Sequence, residues 1–162
     1  MRIIKLLPLL IILVSCKTPA PPLISFYIGD GVTQHFLSPT EWTSRNSTAK
    51  LDITYRTLSA DMPAIINISF YGNKIMPGNV RSVSLHGQGE ECLLEYDFTI
   101  LTNPGKYELR IAFTADREDL IDLFETEPIT LRAEVDGVVY VYNPEKNFYE
   151  LKNKLMRDIS NY

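Results

Sequence analysis

Ile129-Thr130-Leu131-Arg132-Ala133-Glu134-Val135-Asp136-Gly137-Val138-Val139-Tyr140-Val141-Tyr142 decides how this chain is read. Over the first seven residues apolar and polar side chains alternate, the period of a strand that buries one face and wets the other. Asp136-Gly137 then separates two such runs, and that pair suits the positive φ angles of a two-residue hairpin turn. Such a turn pairs Val135 with Val138, Ala133 with Tyr140 and Leu131 with Tyr142. Tyr140 and Tyr142 then face the core, while Val139 and Val141 point outward and need a cover or a partner.

The same alternation recurs upstream in Leu51 to Arg56, Ala64 to Phe70, Cys92 to Ile100 and Tyr107 to Thr114, with weaker strands over 23–28, 32–37 and 80–86. Turn chemistry separates them at Gly29-Asp30-Gly31, Pro77-Gly78-Asn79, Gly87-Gln88-Gly89 and Asn103-Pro104-Gly105. Seven to nine short antiparallel strands at this spacing predict an all-β, two-sheet sandwich. Beyond the hairpin, Phe148, Leu151, Leu155 and Ile159 recur at intervals of three and four, which predicts an amphipathic helix over about 147–159. Its cap comes from Asn143-Pro144-Glu145 or from Asn147 with Glu150, and it is expected to cover the outward valines. The rival reading continues Tyr140 to Tyr142 through a turn at 143–147 into a further strand at 148–151. Ser38-Pro39-Thr40-Glu41-Trp42 has the pattern of a capping box, which predicts one helical turn tucking Trp42 against the sandwich edge.

At the other end, eleven of the first fifteen residues are apolar, against 45% of the 162-residue chain as a whole. Arg2 and Lys5 precede an apolar run from Leu6 to Val14 that is too short to span about 30 Å of hydrocarbon, the pattern of a secretory signal. Leu13-Val14-Ser15-Cys16 resembles the lipobox of bacterial lipoproteins. The resemblance implies a signal peptide over 1–15 and Cys16 as a lipid-bearing N-terminus that partners the chain with a membrane. Residues 16–22, with Pro19, Pro21 and Pro22, then form a semi-rigid tether, and 23–162 form one domain. Lys17 stands where an aspartate resembles an inner-membrane retention signal, so an outer-membrane location is expected if the cell has two membranes. The chain carries 20 acidic and 16 basic side chains, and loss of Arg2 and Lys5 with the leader moves the balance from −4 to −6. A nucleic-acid partner is disfavoured on that charge.

Asn103-Pro104-Gly105-Lys106-Tyr107-Glu108-Leu109-Arg110-Ile111 resembles the corner between the fifth and sixth strands of bacterial immunoglobulin-like domains. The resemblance implies an immunoglobulin-like sandwich with Tyr107 as the corner residue, 92–101 as the fifth strand, 106–114 as the sixth and 128–136 as the seventh. The core cysteine pair of antibody domains and the tryptophan between them are missing.

Catalytic chemistry finds little support. Cys92 alternates with the apolar face of its strand and reads as an inert thiol. His35 and His86 have no histidine, cysteine or carboxylate at metal-ligand spacing, and no nucleophile elbow, Walker loop or zincin motif occurs. The expectation is a protein that is not an enzyme and carries no cofactor or metal. The acidic run from Asp116 to Glu127 reads as a short helical turn capped by Asp116, with Leu120, Leu123 and Phe124 buried. Trp42, Tyr71, Asp116, Asp119 and Asp122 are the candidate partner or ligand surface. The function expected is a membrane-anchored, non-enzymatic accessory or binding subunit of the cell envelope with a protein partner. The alternative is a glycan- or small-ligand-binding lipoprotein module, with Tyr27 and Tyr149 as further aromatic candidates.

Overall fold

The computed structural model describes residues 22–45, 47–57, 63–71, 80–88, 90–92, 96–103 and 106–160, with side chains throughout these except at 90–108 and 160. Cys16, the leader and most of the tether lie outside the described residues, as do the side chains of Cys92 and Tyr107.

The elements in order are β1 (Leu23–Gly29), β2 (Val32–Ser44), β3 (Ser47–Arg56), β4 (Ala64–Tyr71), β5 (Val80–Gly87), β6 (Glu90–Cys92), β7 (Tyr96–Asn103), β8 (Lys106–Ala115), α1 (Arg117–Glu125), β9 (Ile129–Val135), β10 (Val138–Pro144) and α2 (Lys146–Ser160). The strands pair antiparallel in the order β6-β5-β9-β10-β2-β3-β4-β8-β7, and β1 adds to β2. The fold is mostly antiparallel β with a C-terminal helix.

The Asp136-Gly137 hairpin forms in the expected register, with Val138 opposite Val135, Tyr140 opposite Ala133 and Tyr142 opposite Leu131. Asp136 and Gly137 take φ of 52° and 76°, the left-handed pair of a type I′ turn. Tyr142 is fully buried, and Val139 and Val141 stay exposed. α2 runs from Lys146, buries Phe148, Leu151, Leu155 and Ile159, and packs edge-on through Phe148 against Trp42 rather than over those valines. The further-hairpin alternative and the covering role are both replaced by this packing. Neither expected cap is used: the Glu145 carbonyl accepts from the Phe148 amide at 3.0 Å, and the Glu145 amide donates to the Glu41 carbonyl at 3.1 Å.

Residues 38–42 also depart from expectation, because they are strand and not a helical turn. Leu37 pairs with Ile53 and Thr40 with Leu51, so β2 advances three residues while β3 advances two. This one-residue bulge falls at Ser38-Pro39, where a proline without an N–H is tolerated. It reverses the phase of β2, so Thr40 and Trp42 turn inward instead of residues 39 and 41. Beyond the bulge β10 joins the same edge of β2 that β1 occupies before it, with Asn143 opposite Thr43 and Pro144 opposite Trp42.

The sheet curls so that its inner surface closes on itself. Phe70 on β4 meets Tyr142 on β10 with ring centroids 5.6 Å apart. Three strand steps separate them, which would be about 14 Å in a flat sheet. From β3, two steps from β10, the Ser47 hydroxyl also donates to the Tyr142 hydroxyl, at 2.8 Å.

α1 buries Leu120, Leu123 and Phe124 as expected, although Asp116 occupies the cap position without a side-chain capping bond. Two basic residues tie it to α2. Lys152 Nζ donates to the Phe124 carbonyl at 2.8 Å and to Glu127 Oε1 at 2.6 Å, and an Arg117 Nη2 group donates to the Ile159 carbonyl. Each cation thus meets the carbonyl-rich end of the opposite helix, where the backbone dipoles favour positive charge. Thr126 sits so close to β5 that a side chain at Gly87 would overlap its hydroxyl.

Two strand expectations change. The stretch 92–100 is divided between β6 and β7, with 93–95 outside the described residues. β7 and β8 pair directly, Asn103 opposite Lys106 and Thr102 opposite Tyr107. The two strands are thus neighbours within one sheet, whereas an immunoglobulin corner at this point passes from one sheet to the other.

Candidate binding surface

Alternation places every second residue of β2, β3, β4 and β8 on the outer face of the sheet, away from the core. Before the bulge these are Gln34 and Phe36; on β3 they are Lys50, Asp52, Thr54 and Arg56; on β4, Ile65, Asn67, Ser69 and Tyr71; on β8, Arg110, Ala112 and Thr114. The ladder aligns them into rows across the strands. One row is Phe36-Thr54-Ile65-Thr114, the next contains Asp52-Asn67-Ala112, and the third Lys50-Ser69-Arg110.

Asp52 is the unusual member, since it is 3% exposed on a face expected to be wet. Its Oδ1 accepts from Asn67 Nδ2 at 2.8 Å, and its Oδ2 accepts from Arg110 Nη2 at 3.0 Å. Arg110 Nη1 reaches Ser69 Oγ at 3.4 Å. Burial pushes the Asp52 carboxyl above its usual range, while the Asn67 hydrogen bond and the Arg110 guanidinium pull it back. Beside this cluster a cleft of about 540 Å³ opens over the outer face, lined by Gln34, Thr54, Arg56, Ile65, Asn67 and Thr114 among others. Its walls offer hydroxyl, amide and guanidinium groups over an aliphatic floor.

The outer face continues onto β1, where Ile24 stands opposite Phe36 and Phe26 opposite Gln34. Phe26, Tyr27 and Ile28 are 52%, 72% and 51% exposed, an uncommon density of apolar surface for one strand. β1 is held from beneath by His35, whose Nδ1 shares a 2.9 Å hydrogen bond with Ser25 Oγ and whose ring stacks on Tyr55 at 4.5 Å. Burial pushes the His35 imidazole below its usual value, against the opposing pull of the Asp158 carboxylate.

The residues singled out from sequence do not converge. Trp42 is fully buried, with Nε1 donating to Thr40 Oγ1 at 3.1 Å, and it leaves the list of surface candidates. Tyr71 is half-buried at the end of β4, with Lys50 Nζ 5.3 Å from its ring centre. Asp116, Asp119 and Asp122 are exposed along α1, beyond the opposite end of β8, about 23 Å away at 3.3 Å per residue. Among the described residues no three histidine, cysteine or carboxylate side chains gather as a metal would need. Of the other aromatics, Tyr27 is exposed near the tip of β1 and Tyr149 packs against Phe148. His86 is buried and shares a 2.8 Å hydrogen bond with Ser84 on its own strand. The Asp52, Asn67 and Arg110 cluster was legible only as three polar positions on three strands, since the register alone brings them together.

No family model, curated protein or solved structure matches the chain.

Arg110→Ala leaves a buried carboxylate without its cation and is expected to cost about 3 kcal/mol. With its folded pKa raised above the unfolded value, Asp52 destabilises the fold more as pH rises through the folded pKa. The cost of Arg110→Ala is therefore largest at neutral pH and shrinks in acid. Urea unfolding of both proteins at pH 7.5 and 4.5 checks the size and the sign.

Proposed function

We propose that the chain is a membrane-anchored lipoprotein of a bacterial cell envelope, held by lipid on Cys16, that works as a non-enzymatic binding subunit and docks a protein partner through β1. The observation that carries the partner surface is the uncharged, exposed strand β1, which begins one residue after the tether. Its ladder reaches back to the tether, since the Ser38 amide donates to the Pro22 carbonyl at 2.9 Å. Strand addition suits such an edge, because main-chain hydrogen bonds supply affinity and alternate side chains supply selectivity. The anchor rests on the leader and on Leu13-Val14-Ser15-Cys16. The sandwich reading takes β1, β2, β3, β4, β8 and β7 as one layer and β6, β5, β9 and β10 as the other. Its immunoglobulin-like character then applies to this layering and not to the β7–β8 hairpin.

The cleft beside Asn67 favours a second reading, a module for a small hydroxylated ligand such as a glycan. Trp42 lies too deep to report on that cleft. Amide shifts of Thr54, Ile65, Asn67 and Thr114 during oligosaccharide titration are the suitable readout, and shifts confined to those residues would support this reading over strand addition.

The anchor is tested by Cys16→Ala and membrane fractionation. The wild-type chain is expected to resist extraction by salt and to require detergent, while the variant loses its membrane fraction. Release of the wild-type chain by salt alone would remove the anchor.

A further inference from the structure

We infer that His35 is a pH-sensitive latch beneath β1: with its imidazole neutral it holds the strand on β2, and protonation lets the strand lift away. The inference rests on the proposal that β1 is the docking strand and names how that strand is regulated.

Ser25 and His35 stand opposite each other in the β1–β2 ladder. The Ser38 amide donates to the Pro22 carbonyl, and hydrogen-bonded pairs alternate along an antiparallel ladder. Ile24 with Phe36 and Phe26 with Gln34 therefore carry main-chain bonds, while Ser25 with His35 is a pair whose side chains approach closely instead. The 2.9 Å hydrogen bond between Ser25 Oγ and His35 Nδ1 uses that closeness. No side chain of β1 is fully buried, so main-chain bonds and this one contact hold the strand. Such a segment sits at the low end of local stability.

The imidazole itself is buried, at 7% exposure, and its Nε2 has no hydrogen-bond partner. The groups around it are the Ser25 hydroxyl from β1, the stacked Tyr55 ring from β3 and, acting through space, the Asp158 carboxylate from α2. Arg117 of α1 bonds the Ile159 carbonyl beside that carboxylate, and β1 brings no charge. A proton added to this ring creates a buried cation whose Nε2–H meets no acceptor, which is costly. Tyr55 and α2 belong to the packed core, whereas β1 buries nothing fully. Lifting β1 is thus the least costly way to give the charged ring water.

The sign follows from burial, which pushes the imidazole below its ordinary value while β1 is closed, against the pull of Asp158. The open strand then binds the proton more readily. Closure is fully favoured above the ordinary histidine pKa of about 6.5 and is lost as pH falls through the closed-state value. An open β1 withdraws the docking edge, bares β2 over 32–37 and adds seven residues to the tether, about 23 Å when extended.

Hydrogen exchange of the full chain in detergent, read by mass spectrometry and corrected for intrinsic rates, tests the latch. The readout is the protection of residues 23–29 divided by that of β9. Between about pH 7.5 and about pH 5 the ratio is expected to fall several-fold in the wild-type chain. The limit is about 30-fold, for an ordinary imidazole in the open strand and an uncharged one in the closed strand. His35→Gln, which stays neutral and can bond Ser25, and His35→Phe, which keeps a ring for Tyr55, are expected to hold the ratio constant, with His86 still present in both. Exchange of the His35 Cε1 proton in the wild-type chain reports the ring's own titration, and its midpoint is expected to match the loss of β1 protection even if neither variant folds. A wild-type ratio unchanged by acid, an equal loss in both variants, or a ring that titrates without loss of β1 protection overturns the inference. The exchange is read without a partner. A β1 that captures none would remove the docking role and leave the latch, whereas an unchanged ratio removes the latch and leaves the docking role.

Discussion

One extra residue in β2 sets the phase on which the rest of the structure depends. Before Ser38-Pro39 the strand turns His35 and Leu37 inward; after it, Thr40 and Trp42. Without the bulge the alternation would aim the indole at water and bring Glu41 toward the core. With it, Trp42 meets Phe148 of α2 at 4.8 Å, and Phe148 meets Phe124 of α1 at 5.9 Å. The same strand carries β1 on one edge before the bulge and β10 on that edge after it. A single aromatic chain therefore joins strand to both helices at the place where the sheet changes partners.

Magnitudes indicate which effect dominates at that seam. The β10–β2 ladder covers two residue pairs, and each hydrogen bond contributes about 1 kcal/mol net. A buried aromatic ring removes roughly 150–250 Å² from water, or roughly 4–6 kcal/mol at 25 cal/mol per Å² before ordering costs. Packing of Trp42, Phe148 and Tyr142 must hold the two parts of the sheet together, and the ladder fixes their register. The polar tips are satisfied without breaking that packing: the Thr40 hydroxyl accepts from the indole and donates to the Leu51 carbonyl. Tyr142 is bonded to Ser47.

Much of this was legible locally. Asp136-Gly137 dictated a hairpin and its register, because the turn admits few backbone conformations and period-two alternation fixes the faces. The three-and-four spacing of Phe148, Leu151, Leu155 and Ile159 placed α2 within a residue or two. Ser38 to Trp42 misled because a serine-proline pair with Glu41 suits a helix start as well as a bulge, and only pairing with β3 decides between them. Trp42 looked like a surface aromatic for the same reason. Asp52, Asn67 and Arg110 are far apart in sequence, so their cluster follows from strand order, which local pattern does not encode. The nine-residue likeness over 103–111 suggests a corner at Tyr107, whereas the β7–β8 ladder keeps both strands in one sheet.

The surfaces left over follow from these choices. α2 is drawn to Trp42 and so leaves Val139 and Val141 uncovered, and β1 ends the sheet with an edge that carries no charge. Deleting Pro39 tests the bulge most directly, by acrylamide quenching of the single tryptophan together with urea unfolding. The deletion is expected to open Trp42 to the quencher and to remove most of the stability, because the phase of residues 40–44 reverses. A deleted chain that keeps Trp42 shielded and unfolds at the wild-type midpoint would contradict the dependence of the fold on that residue.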